Sequence, residues 1–150
     1  MPKFDLARFE HAQREIYDVA LKEIQSGKKR THWIWFIFPQ VVGLGLSQTS
    51  VHFAITSLEE AQAYLAHPLL GARLREMTGA MNASPQSNAE PILGATDAAK
   101  FRSSMTLFHE IAPYQHCFRF ALDKFFGGSV DQQTVQRVAA WRRLPRVRDN

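Results

Sequence analysis

Along the first stretch of the chain, apolar residues recur at spacings of three and four: Leu6, Phe9, Ala12, Ile16, Val19, Ala20 and Ile24. That period lays one apolar stripe along one face of a helix. Asp5 is placed to cap it, Phe4 stands just outside, and Gly27 stops it. The spacing predicts a single helix over the whole stretch. A second helix opens at a capping box, Ser57 followed three places on by Glu60, and ends near His67, because Pro68 disfavours helical geometry at its predecessor. Pro68 suits the first position of a third helix carrying Leu69, Leu70, Leu74, Met77 and Met81. Residues 82–91, rich in Asn, Ser and Pro, read as a loop. Thr96 or Asp97 then starts a helix whose apolar side is Phe101, Met105, Leu107, Phe108 and Ile111, stopped by Pro113. Tyr114 to Phe126 is the next, ended by Gly127 and Gly128, and Asp131 caps a last one through Val135, Val138 and Trp141.

The run Trp33, Ile34, Trp35, Phe36, Ile37, Phe38 fits either a buried strand or a short helix buried on all sides. A lone strand would leave its ladder groups unpaired, and its one available partner is Val51–Ile55, so a buried helix ending before Pro39 is preferred. The glycines that follow, Gly43 and Gly45, mark a turn in which one of them takes positive φ. With no alternation of strands and helices and no repeat, the pattern describes an all-α, single compact domain of about six helices with a buried aromatic segment.

Composition adds limits to this picture. A chain of 150 residues with 45% apolar and 21% charged residues has the usage of one ordinary globular domain. No apolar run approaches the roughly 20 residues that cross a bilayer, and no signal-peptide pattern opens the chain, so a cytoplasmic protein with no membrane contact is expected. Cys117, the one cysteine, sits between His116 and Phe118 in an apolar segment and reads as a buried, inert thiol. The formal charge of +4 comes from the end of the chain, where Arg137, Arg142, Arg143, Arg146 and Arg148 face only Asp149. The body is neutral, which disfavours nucleic acid as a partner. The expected division is a helical domain over residues 4–141 and a basic tail over 142–150.

Standard catalytic constellations are missing. There is no Walker loop, nucleophile elbow or glycine fingerprint after a strand, no histidine pair with metal-ligand spacing, and hence no expected cofactor or metal. Two polar clusters carry what chemistry there is. Asp97, Lys100 and Ser104 fall on one helix face, with Arg102, Ser103 and Thr106 nearby, a combination of cation, hydroxyls and helix start suited to a phosphate or carboxylate. An Asp97–Lys100 ion pair with capping hydroxyls would use the same residues. His32, Gln40, Ser47, Gln48 and Ser50 flank Trp33, Trp35 and Phe38, joining flat surfaces to groups that can read the edge of a ring. Core packing would use the same aromatics.

Three stretches resemble a known family. These are Ala12, Gln13 with Tyr17, Ala20 and Leu21; His32 to Gln40 with Gly43, Leu44, Gly45 and Ser47; and Asp97, Lys100 and Phe101 to Phe108. The chain resembles the bacterial family of uncharacterised helical proteins catalogued as domain of unknown function 1810, over about residues 4–138; Ile34 and Phe101 stand where other apolar residues are expected. Some members carry the name calpastatin, but that inhibitor activity belongs to disordered repeats unlike this chain. The resemblance implies an all-helical cytoplasmic bacterial protein and no established activity.

Two functions follow from the residues. The first is binding or hydrolysis of a phosphorylated, ring-bearing metabolite such as an ADP-ribose-like nucleotide. Its two motifs would share a pocket, with Lys100 or Arg102 anchoring phosphate beside Ser103 or Ser104. Trp33 or Trp35 would support the ring, His32 and Gln40 would bond its edge, and Asp97 or His32 would act as acid or base. The second is a non-enzymatic module that meets an acidic protein or nucleic acid through the Arg-rich tail. Oligomeric state is not legible in the sequence.

Overall fold

The structure, a computed structural model, describes residues 4–145. Among them are ten helices: α1 Ala7–Gln13, α2 Tyr17–Gln25, α3 Ile34–Ile37, α4 Gln48–Phe53, α5 Leu58–Ala66, α6 Leu70–Asn82, α7 Glu90–Leu93, α8 Ala95–Ile111, α9 His116–Phe126 and α10 Gln132–Arg143. The all-α class predicted from the apolar pattern holds. The helix count does not stop at six, because the first helix is two, the buried aromatic segment adds α3, and the short α4 and α7 form in segments without a periodic stripe. Among the described residues no helix is long and apolar enough to cross a membrane.

The first helix breaks at Arg14–Ile16, where the Ile16 N–H bonds the Gln13 carbonyl at 3.1 Å in place of a helical partner. Neither proline nor glycine causes the break. Gln13 is 1% exposed, and its amide donates to the Phe36 carbonyl at 2.7 Å and the Tyr64 hydroxyl at 3.2 Å. Arg73 in turn donates to its side-chain oxygen. These tertiary bonds hold the end of α1 in place while the turn lets Tyr17, Ala20 and Ile24 of α2 reach the interior.

The interior is organised around α8, on which Ala98, Phe101 and every residue from Ser103 to Phe108 are buried. Phe101 meets Phe38 edge to face at 4.7 Å and Phe125 at 6.0 Å, so the aromatic run and α9 share one core with α8. As expected, Trp33 to Phe38 is a single buried turn, α3 with its flanking residues, and only Trp35 is half-exposed. Glu23 secures the entry to it. Its carboxylate accepts from the backbone N–H groups of Arg30 and Thr31, the Thr31 hydroxyl and the Trp33 indole.

Residues 39–55 form a strap across α3. Its ends are closed by two backbone bonds, Ile55 N–H to the Gln40 carbonyl at 2.8 Å and Val42 N–H to the Ile55 carbonyl at 2.9 Å. Arg8 of α1 reaches over to donate to the carbonyls of His52 and Ala54 while pairing with Glu60 at 2.9 Å. Glu60 also accepts from Thr56 N–H, and Ser57 accepts from Glu60 N–H. The capping box is therefore present with its return bond one residue earlier than the standard pattern. At the other end, α10 continues past residue 141 to Arg143, and Arg142 donates to the Glu110 carbonyl. Arg146 and Arg148 lie outside the described residues.

Candidate functional site

The two polar and aromatic stretches come together where α3 lies on the first half of α8. Lys29, just before α3, pairs with Asp97 at 2.8 Å and places its ammonium 5.1 Å from the Trp33 ring centroid. Lys100, one turn further along α8, stands 3.8 Å from the other Asp97 oxygen and 5.0 Å over the Trp35 ring. Asp97 is thus shared by two lysines, and each lysine covers one tryptophan.

Beyond Trp35 the strap encloses a small cavity lined by Trp35, Gln40, Gly43, Gly45 and Ser50 together with apolar residues of α4. Its water-accessible volume is about 20 Å³, room for one water-sized group. Trp35 is on its wall, and the Trp35 indole N–H is buried and has no hydrogen-bond partner among the described residues. At the turn, Gly43 has φ +95°, and a Cβ built there would stand 2.7 Å from Nη2 of Arg137 on α10. The positive φ is what favours glycine, since it strains other residues; the guanidinium is the free end of a flexible, exposed side chain and can give way. Of the two glycines expected to compete for positive φ, Gly43 has it. Gly45 is held small differently, by Ser50, whose Oγ would be 2.6 Å from an added Cβ.

Several candidates lie elsewhere. Trp33 is fully buried with its N–H given to Glu23, so it packs the core and cannot support a ligand ring. Arg102 points away from the cavity and donates to the Ser129 and Val130 carbonyls and the Ser129 hydroxyl. Ser103 donates to the Ala99 carbonyl and to Asp131. These two tie α8 to the turn before α10 and are not placed for a phosphate beside Trp35. Ser47 caps α4 by accepting from Ser50 N–H. His32 is exposed, and Ser104, one turn past Lys100, is buried with its hydroxyl unpartnered among the described residues. Trp35 and Gln40 line the cavity, Lys100 and Asp97 stand beside Trp35, and no residue of 97–104 is among those lining it.

Residues 3–138 match a single family model. The chain belongs to the family described as Protein of unknown function (DUF1810). It is similar to the conserved hypothetical protein Rv1873 from Mycobacterium tuberculosis, whose crystal structure at 1.38 Å shares 46% identity and a TM-score of 0.89, covering 92% of this chain and 99% of that one. No curated protein matches. The region shared with the family contains Trp35, Gln40, Gly43, Lys100 and Arg137, and it ends before Arg142 and Arg143.

Two participants escaped the sequence reading. Lys29 is one of three consecutive cations after Gly27, a usual setting for charges at the end of a helix, and Arg137 is one of the arginines near the end of the chain; nothing local distinguishes them from solvated charges. A second, open concavity of about 410 Å³ lies between α6 and α9, lined by Asn82, Ala83, His116, Cys117 and Phe120. Burial pushes the Cys117 thiol up, away from thiolate chemistry at neutral pH.

Proposed function

We propose that the chain binds a small metabolite carrying both a flat ring and a negative charge, of the kind an ADP-ribose-like nucleotide exemplifies, at the mouth of the cavity beside Trp35. The observation that carries this reading is Trp35, which lines the cavity and whose indole N–H is buried with no acceptor among the described residues. Leaving such a donor unpaired costs about 1–3 kcal/mol, and native proteins leave few. A ligand oxygen or ring nitrogen reaching inward supplies the bond. The enclosed space of about 20 Å³ admits only that one group, so the rest of the ligand lies outside, over the glycine turn. There the half-exposed Trp35 ring and the Lys100 ammonium offer a flat surface and a charge side by side. Gln40 adds a side-chain amide that can both donate and accept.

Binding without bond cleavage is the form of this function that the groups support. No carboxylate or histidine is among the residues lining the cavity, and Asp97 is held by Lys29 and Lys100. The alternative, an interaction module working through the Arg-rich end, has less support because Arg142 already serves the Glu110 carbonyl. Salt-sensitive binding of an acidic protein or nucleic acid, lost on deleting residues 142–150, would favour it.

Calorimetric titration of ADP-ribose and AMP into wild type and Trp35→Phe tests the proposal. Phenylalanine keeps an aromatic ring and removes the N–H, so affinity is expected to fall about tenfold, the worth of one hydrogen bond, with the circular dichroism spectrum unchanged. Absence of saturable binding by wild type, or equal affinity in both proteins, would overturn it.

A further inference from the structure

Charge around Trp35 is unbalanced. One carboxylate, Asp97, is shared between Lys29 and Lys100, which leaves a positive unit uncompensated within that trio. Arg137 adds another. Its guanidinium lies against Gly43, one of the residues that line the cavity, its side chain is exposed, and it makes no hydrogen bond or ion pair among the described residues.

The placement of Arg137 is a product of the α8 motif. The Thr106 hydroxyl accepts from Asp131 N–H at 3.0 Å, Ser103 donates to the Asp131 carboxylate, and Arg102 clasps Ser129 and Val130. Asp131 caps α10 by accepting from Thr134 N–H, and Val138 and Trp141 bury the inner face of that helix. The start and roll of α10 are thereby fixed, and Arg137 comes out over the glycine turn. The polar residues that looked like ligand anchors act one step removed, as positioning residues for an arginine on another helix.

We infer that Arg137 is the residue that selects a phosphorylated ligand at this site, by a forked pair of hydrogen bonds to a phosphate monoester or diphosphate. The inference rests on the proposed Trp35 site. A guanidinium presents two parallel N–H donors matched to phosphate geometry, and the two positive charges without a carboxylate of their own among the described residues suit an anion of charge near −2. Lys100, over the Trp35 ring, adds a point charge without directional demand.

The test compares AMP with adenosine, which differ only by the phosphate, on wild type, Arg137→Lys, Arg137→Gln and Arg102→Ala. Wild type is expected to bind AMP at least about tenfold more tightly than adenosine. Arg137→Gln brings that ratio close to one with adenosine affinity unchanged, and Arg137→Lys retains part of it. Arg102→Ala lowers the ratio while leaving adenosine binding intact, which a general loss of stability would not do. If Arg137→Gln keeps the wild-type ratio, the assignment of Arg137 fails while the Trp35 site stands; if wild type binds adenosine and AMP equally, the requirement for a negative charge fails with it. If neither compound binds wild type, both fail.

Discussion

A carboxylate that accepts four hydrogen bonds resists protonation, and Glu23 is in that position. Burial alone would raise its pKa, but the donors from Arg30, Trp33 and Thr31 outweigh it and hold the group down at about 2, against an ordinary value of 4.5. Because the folded value is the lower one, the contribution to stability is fully present above about pH 4.5 and is lost as pH falls through about 2. The difference corresponds to about 3 kcal/mol. Glu23→Gln is therefore expected to lower stability in urea by an amount of that order at pH 7, and the gap between the two proteins should narrow as pH falls from 5 toward 2. A gap independent of pH would contradict it. At this scale the sequence was half legible: Trp33 and Trp35 stand two apart in one apolar run, and only the location of Glu23, ten residues upstream, decides that Trp33 faces the core and leaves Trp35 at the cavity.

The helices with strong stripes formed where the spacing placed them: α5 on Ser57, α6 after Pro68, α9 up to Gly127 and α10 on Asp131. The short elements did not announce themselves. Both α4 and α7 run for six residues or fewer, and such lengths carry no period and are stabilised by what they pack on. The break between α1 and α2 was equally silent, since its cause is the bonding of Gln13 to Phe36 and Tyr64 across the fold. The junction of α8 with α10 offers a test at this scale. Thr106→Val keeps the volume and removes the hydroxyl that accepts from Asp131 N–H and donates to the Arg102 carbonyl. A cost of about 1–2 kcal/mol is expected. Hydrogen exchange should quicken at the first amides of α10, Thr134 and Val135, before those of α9. Uniform loss of protection across both helices would show that the hydroxyl does not anchor α10 specifically.

For the molecule as a whole, the class was legible because its apolar residues keep helical period over most of the chain and no second alternating segment competes. That the two motifs meet was also legible, since polar and aromatic residues were interleaved in both. Which side chains turn inward was not. Arg102 and Arg137 look alike in sequence, yet the first is tied to the turn before α10 and the second is carried by that helix to the glycine turn. The proposed function centres on one place, the rim of the cavity lined by Trp35, Gln40 and Gly43, with Lys100 over the Trp35 ring and Arg137 against Gly43. Crystals of the protein soaked with AMP test it most directly. The predicted result is a ligand at that rim, with one acceptor atom about 3 Å from the Trp35 indole nitrogen and the phosphate between Arg137 and Lys100. Density confined to the open groove beside Asn82 and Phe120, or an unchanged Trp35 rim at saturating nucleotide, would contradict it.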